Sequence, residues 1–386
     1  MAYIRPDPPN GGGRACCGTF QYYYRSAMLP DQTASQLAWI TTLQIAFFFA
    51  CGPAVGKLVD VYGSRAVIAP FAALAVISLG TLSLCSEYYQ VLLAQGVAFG
   101  IAVSGTCLPA IVTVSQWFST KRGLAVGVAS CGSSVDRKIS QDIEPDDSES
   151  VRNKAEEVVL DSPVLETAIP PINEEKNAKG MGVLLQRKPL GWAGFVLGTF
   201  FFMWSFLAPF NYLPLMSVAT GMSPDLAQYT LTVTNAGSMF GRVGLGAVSD
   251  KLGAFNVMCI VTTFTATSVL AFWLPLSNSP STVGIFMFGG IYGVASGGFI
   301  SLIAPCVVSL ADSQLENLGI TFGLVCIGLA FGALVGLPAM AAVKDSATSH
   351  SFEELIVFTG AVLAVGSVCM IFSRYMKGGI NIWTKV

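Results

Sequence analysis

Apolar residues in this chain come in long runs separated by short polar breaks. A bilayer core of ~30 Å needs ~20 apolar residues in helix. Nine runs are of about that length: 34–56, 66–86, 88–113, 191–213, 227–249, 254–275, 283–308, 319–343 and 354–375. A tenth, Gly123–Val135, has 13 residues before DRKISQD ends it. That is too short to span, so it is expected to dip in and return or to lie along the interface. Residues 136–188 are rich in Asp, Glu, Lys, Ser and Pro with no apolar period, the pattern of a disordered linker. The pattern predicts an all-α polytopic membrane protein of nine full helices and one stub. Its expected segments are a non-spanning 1–33, a truncated front bundle 34–135, the linker 136–188, a six-helix back bundle 189–376 and a tail 377–386.

Composition agrees with a membrane protein. Hydrophobic residues make up 53% and charged residues 11%, where a soluble domain carries about 25% charge. Nearly half of the Asp, Glu, Lys and Arg lie between Asp136 and Lys188. A net charge of −2 leaves no basic face for nucleic acid. Ten Cys are scattered without metal-ligand spacing. The Cys16-Cys17 pair reads as small packing residues rather than a lipidation site. Met1–Thr19 has Pro, Gly and Arg where a signal peptide needs an apolar core, so a first membrane helix is expected to act as the insertion signal.

Positive charge orients the helices, because cytoplasmic loops retain Lys and Arg. Lys57/Arg65, Lys121/Arg122, Arg187/Lys188, Lys251 and Arg374/Lys377 fall on one side if the helices alternate, and loops 214–226 and 276–282 carry none. Lys344 is the main exception. The linker and C-terminus are therefore expected in the cytosol.

Two sets of landmarks recur. Offset 190 pairs Gly56, Asp60 and Gly63 with Gly246, Asp250 and Gly253. Offset 196 pairs Pro109, Gly123, Gly127 and Gly132 with Pro305, Gly319, Gly323 and Gly328. Such agreement marks a duplicated bundle. The back half then continues through GALVGLPAMAAV and a further helix at 354–375, whereas the front half stops at the matching point, Val135. The helix at 191–213 also has no front counterpart, since RPDPPNGGGRACCGTFQYYY cannot span.

GKLVDVYGSR at 56–65 resembles the signature loop of the major facilitator superfamily. SQWFSTKRGLAVG at 115–127, with NAGSMFGR and GLGAVSDKLG in 235–253, resembles its monocarboxylate-porter branch, in particular the fungal members. The resemblance covers about 18–135 and 185–376. Fragments of both flanks of that family's first helix survive as Pro6-Asp7, Gly11-Gly12 and GTFQYYY, with the helix between them gone. The first helix and most of the fifth and sixth are thus expected to be missing from a two-bundle fold.

The charged turns then acquire candidate roles. Gly56, Asp60, Gly63, Arg65 and their counterparts Gly246, Asp250, Lys251, Gly253 are candidate gating loops. A carboxylate near a helix N-terminus gains ~0.3–1 kcal/mol from the exposed N–H groups and the dipole. The resemblance implies that Asp60 faces the helix starting near Gly319, and Asp250 the stub starting near Gly123. A solvated Asp-x-x-Gly bend is the alternative.

Arg242 is the sharpest binding candidate. It lies ~10 Å inside the end of its helix at 1.5 Å per residue, and intramembrane charges usually face a cavity or a partner. Asn235, Ser238 and Arg242 stand at i, i+3 and i+7, one helix face. Arg supplies a bidentate fork for a carboxylate; snorkelling to the interface is the alternative. The front repeat has Gly52 at the matching position, so the fold itself does not demand arginine there. The resemblance implies a substrate-carboxylate role for Arg242. It leaves proton coupling open, since Ser238 stands where proton symporters of that branch place Asp. Trp204, Phe210 and Tyr212 could line the path or face lipid; His350 is given no role. No cofactor, metal site or enzyme motif is read here.

The expected function is passage of a small monocarboxylate or carboxylated metabolite by alternating access. The rivals are export of a neutral secondary metabolite, and a non-transporting relic or sensor. The expected partners are a small organic acid and the lipid bilayer. The plasma membrane is the expected location, with the vacuole as the alternative.

Overall fold

A computed structural model describes residues 34–118, 121–139, 189–311, 318–346 and 352–379. The expectations for segment 1–33, linker residues 140–188, His350 and tail residues 380–386 lie outside these. The fourteen described helices are α1 (Ala34–Ala50), α2 (Gly52–Tyr62), α3 (Ser64–Leu82), α4 (Tyr88–Val91), α5 (Gly100–Trp117), α6 (Arg122–Ile139), α7 (Pro189–Phe206), α8 (Ala208–Ala219), α9 (Pro224–Leu252), α10 (Ala254–Ser268), α11 (Leu274–Asn278), α12 (Thr282–Leu310), α13 (Leu318–Ser346) and α14 (Glu353–Gly378). Two wider π-helical turns, Leu92–Phe99 and Val269–Trp273, carry α4 into α5 and α10 into α11. Helix is what apolar runs of this length must form in lipid, where each backbone polar group needs an internal partner.

Among the described residues, eight helical stretches are long and apolar enough to cross a bilayer. All nine expected runs are helical, but 227–249 is not among the eight. It forms α9, at 29 residues as long as α12. Asn235, Ser238, Arg242, Asp250 and Lys251 dilute its apolar character.

The short stub is a continuous helix: α6 runs past Val135 to Ile139 over 18 residues, and its apolar part, Arg122–Cys131, falls short of a span. It stands antiparallel to α9: Gly123 meets Gly246, Gly127 meets Arg242, and Cys131 Sγ reaches the Met239 carbonyl at 3.6 Å. Counting apolar residues missed this because the helix is held by close packing on a neighbour, which needs small residues more than length.

The repeated turns explain their own glycines. Gly63 ends α2 at φ 79° and Gly253 ends α9 at φ 93°, each followed at once by the next helix. A left-handed backbone here favours glycine, so the repeat records a shared sharp corner.

The back half holds the dense core. In α12 83% of the most apolar window is buried, against 11% in α3, which lies at the edge of the front half. Aromatic rings fill the space around α12: Phe202 stacks on Phe299 at 3.8 Å, Trp273 on Phe288 at 5.4 Å, and Phe210 meets Tyr292 edge-on at 5.9 Å. The Tyr292 hydroxyl donates to the Phe206 carbonyl at 2.7 Å, which satisfies a phenol that burial alone would penalise. The two halves meet where α13 packs on α1 and α2, and where α9 packs on α6.

Candidate functional site

The first four N–H groups of any helix have no partner inside it. At the start of α13 two of these, on Gly319 and Ile320, donate to Asp60 at 3.1 and 2.9 Å, one to each carboxylate oxygen. Asp60 is buried. Its charge is held by charge-assisted hydrogen bonds together with the positive end of the helix dipole. The approach that makes this reach possible depends on glycine. A Cβ on Gly56 would lie 2.1 Å from the Gly319 carbonyl oxygen, and one on Gly319 would lie 2.6 Å from Asp60 Oδ1.

The other crossing repeats the device. At the start of α6 the N–H groups of Gly123 and Leu124 donate to Asp250 at 2.8 and 3.1 Å. A Cβ on Gly246 would lie 2.3 Å from the Gly123 carbonyl oxygen, and the reverse substitution meets the same barrier. Ser249 turns its hydroxyl back to the Gly246 carbonyl at 2.7 Å. Asp250 is half-buried, so water shares it more than it shares Asp60. Lys57, Arg65 and Lys251 project outward at this same end of the molecule. It is called the latch end below.

One turn further in, the crossings differ. At the first, a Cβ on Gly52 would sit 2.6 Å from that of Cys326, so only glycine fits. At the second the equivalent position is Arg242, and its Nη1 donates to the carbonyl of Ser130 on α6. This partner was invisible in the sequence, because a backbone carbonyl carries no residue-type signal.

The three polar residues expected on one face of α9 divide between two neighbours. Ser238 is buried in the seam with α12, where a Cβ on Gly297 would touch its carbonyl oxygen at 2.1 Å. Arg242 points to α6. Asn235, two turns away along the same side of the helix as Arg242, is half-buried. Trp204 packs among Phe200, Phe201 and Phe358, and Phe210 against Tyr292, so both belong to the back half's aromatic packing. Tyr212 is half-buried against the same core.

Away from the latch end, the seam between α1 and α13 bears a cleft of ≈ 370 Å³. Leu43, Ala46, Phe47 and Ala50 form its wall on α1. The α13 wall is Ile327, Ala330, Phe331 and Leu334. Each set has the i, i+3, i+4, i+7 spacing of a single helix face.

The chain is similar to known proteins. The Major Facilitator Superfamily profile matches residues 16–136. The MFS-type transporter hasB of Aspergillus fumigatus is 44% identical, covering 98% of this chain and 93% of that protein. Its alignment runs over 426 positions against a chain of 386 residues, so the relative carries residues that have no counterpart here. The Fujikurins efflux protein of Gibberella fujikuroi is 32% identical over 96% of this chain and 84% of its own length. Among solved structures, a variant of the Escherichia coli fucose:proton symporter FucP superposes with a TM-score of 0.65 at 15% identity, covering 93% and 94% of the two chains.

Proposed function

The chain belongs to the major facilitator superfamily and is a multi-pass membrane transporter, and from that premise we propose that it exports a small secondary metabolite by alternating access. One observation carries the reading. Both inter-half crossings are capped by an aspartate and packed through paired glycines at the latch end. A carrier closed on that side has this form. Export is supported by relatives named as efflux proteins. The distribution of Lys and Arg supports a cytosolic latch end, so the closed side faces the cytosol in this reading.

A second reading is favoured by Arg242. A guanidinium half-buried at the seam between the halves can exchange the Ser130 carbonyl for a substrate carboxylate once that crossing opens, with Asn235 close along the helix. The cargo is then a monocarboxylate or a carboxylated metabolite, as in the monocarboxylate-porter branch. Without an acidic residue at the place held by Ser238, this reading does not require proton coupling.

Deleting the gene in its host and profiling the medium by mass spectrometry tests export. One secondary metabolite should fall outside the cells and rise inside, and complementation should reverse both changes. An unchanged metabolite profile contradicts the reading. Uptake of labelled short-chain monocarboxylates by proteoliposomes decides the second: saturable uptake in the parent, lost in Arg242→Ala, supports a carboxylate cargo.

A further inference from the structure

We propose that the back half is two bodies rather than one block: α8, α9 and α12 form the first, and α7, α13 and α14 the second, jointed at Leu207 and pinned by Tyr292. Each latch then holds a different body to the front half.

Backbone contact draws the division. α9 and α12 meet through glycines: a Cβ on Gly237 would lie 2.5 Å from the Gly290 carbonyl oxygen, and Gly293 and Gly297 face the carbonyls of Thr234 and Ser238. α7 meets α13 and α14 in the same manner. A Cβ on Gly332 would lie 2.5 Å from the Phe200 carbonyl oxygen, and one on Gly366 would lie 3.1 Å from the Phe202 nitrogen. Backbones this close leave no side chain between them to give way, so each set moves as a unit. Between the two sets, rings take the place of glycines. Phe202 of α7 stacks on Phe299 of α12 at 3.8 Å, and Phe206 meets the same ring at 6.4 Å. A layer of side chains permits the small sliding of a shear motion.

The chain crosses the division at Leu207, between α7 and α8. Both pieces belong to one apolar stretch, yet α7 packs on α13 and α14 while α8 packs on α9 and α12. Pro209 has no N–H to carry the ladder back to the Ser205 carbonyl, and its ring crowds that carbonyl. The sequence itself therefore sets the joint. The last carbonyls of a helix need donors from outside, and the buried Tyr292 of α12 gives its hydroxyl to that of Phe206 at 2.7 Å. This bond ties the bodies at the joint. At the latch end, Lys377 Nζ of α14 donates to Ser309 Oγ of α12 at 2.9 Å, a second tie. α10 lies along both bodies, against α12 and against α14.

The latches divide in the same way. Asp250 belongs to α9, whereas Asp60 binds the start of α13. Freeing one crossing thus releases one body and leaves the other seated.

Spin-label distances in the full chain test this, in lipid nanodiscs and a cysteine-depleted background, with no cargo required. Labels at Val283 on α12 and Val357 on α14 span the two bodies. Tyr229 with Val283 lies within the first body, and Val335 with Val357 within the second; all four positions are exposed. Gly246→Val forces the α6–α9 crossing apart. It should shift the spanning distribution by about 2 Å and leave both within-body distributions in place. Tyr292→Phe keeps the ring and removes the tie, so it should broaden the spanning distribution without moving the other two. If the spanning pair keeps its parent distribution in both variants, the back half is one block and the proposal is wrong. It is equally wrong if all three pairs shift together in Gly246→Val, because the half then deforms throughout.

Discussion

At one crossing between the halves, the turn beyond the carboxylate cap holds Gly52 against Cys326; at the other, the equivalent turn holds Arg242 with its Nη1 on the Ser130 carbonyl. The caps themselves are alike. In both, an aspartate receives two N–H donors from the first turn of a helix in the opposite half, and paired glycines let the backbones touch. The shared part ties the two halves together, a task both repeats can perform. The unshared part marks where chemistry can differ, because a duplicated scaffold does not require a charge at one copy of a position that is glycine in the other. The halves differ in bulk too. The back half buries a continuous aromatic core around α12, whereas the front half offers α3 at its edge with little burial.

The largest expected effect concerns that imbalance. A site at the midplane of a two-bundle carrier needs a wall from each bundle, and water entering a gap weakens charge pairing as the dielectric rises. Inserting the segments that the Aspergillus fumigatus relative carries and this chain lacks should raise flux per folded molecule on the order of 10-fold. Equal saturable transport by both forms would show that the front half suffices as it stands.

Next come the glycines of the crossings. Gly56→Val and Gly246→Val put a Cβ within about 2 Å of a facing carbonyl oxygen, a clash that only helix separation relieves. Overpacking of this kind typically costs 1–3 kcal/mol. Each variant should keep the latch end open, read as faster alkylation of the buried Cys326 at the first crossing and Cys131 at the second. If Gly56→Val labels like the parent, the crossing is looser than its geometry states.

Arg242→Lys separates the two crossings. An ammonium cannot reproduce the planar fork, and a charged hydrogen bond contributes about 1.5–3 kcal/mol. Affinity for a carboxylated cargo should fall roughly 10- to 100-fold, while an uncharged cargo is bound as before. Unchanged affinity for an acid in a well-expressed variant would leave Arg242 as a strut to α6 and no more.

The sequence made the gate readable and hid the site. The nine helical runs follow from apolar length, and both aspartate–helix pairings from the resemblance of the charged turns to the superfamily's signature loop. The fate of the stub was also available in principle, since offset 196 aligns it with α13, which stands upright against the other half. Length outweighed that clue. The cleft was harder to see: its two stripes have clean helical spacing, but almost every other face of α1 and α13 is equally apolar. Ser130 could not be found at all, because it contributes a backbone oxygen.

The smallest expected effects are at the caps. Asp60→Asn keeps shape and one acceptor but loses the charge, and Asp60 is the more buried of the pair. A loss of about 1 kcal/mol shifts a two-state balance about fivefold. Asp250→Asn, nearer to water, should shift it less.

The central claim is that the latch end and the cleft end open in opposition. Pulsed electron–electron spin resonance measures it directly, in a cysteine-depleted background with one label pair at Lys57 and Lys251 and another at Trp39 and Val335, all exposed positions. On going from parent to Asp60→Asn, the first distance distribution should lengthen while the second shortens. If both pairs keep the parent distances, or both lengthen together, the two ends are not coupled and the alternating-access account is wrong.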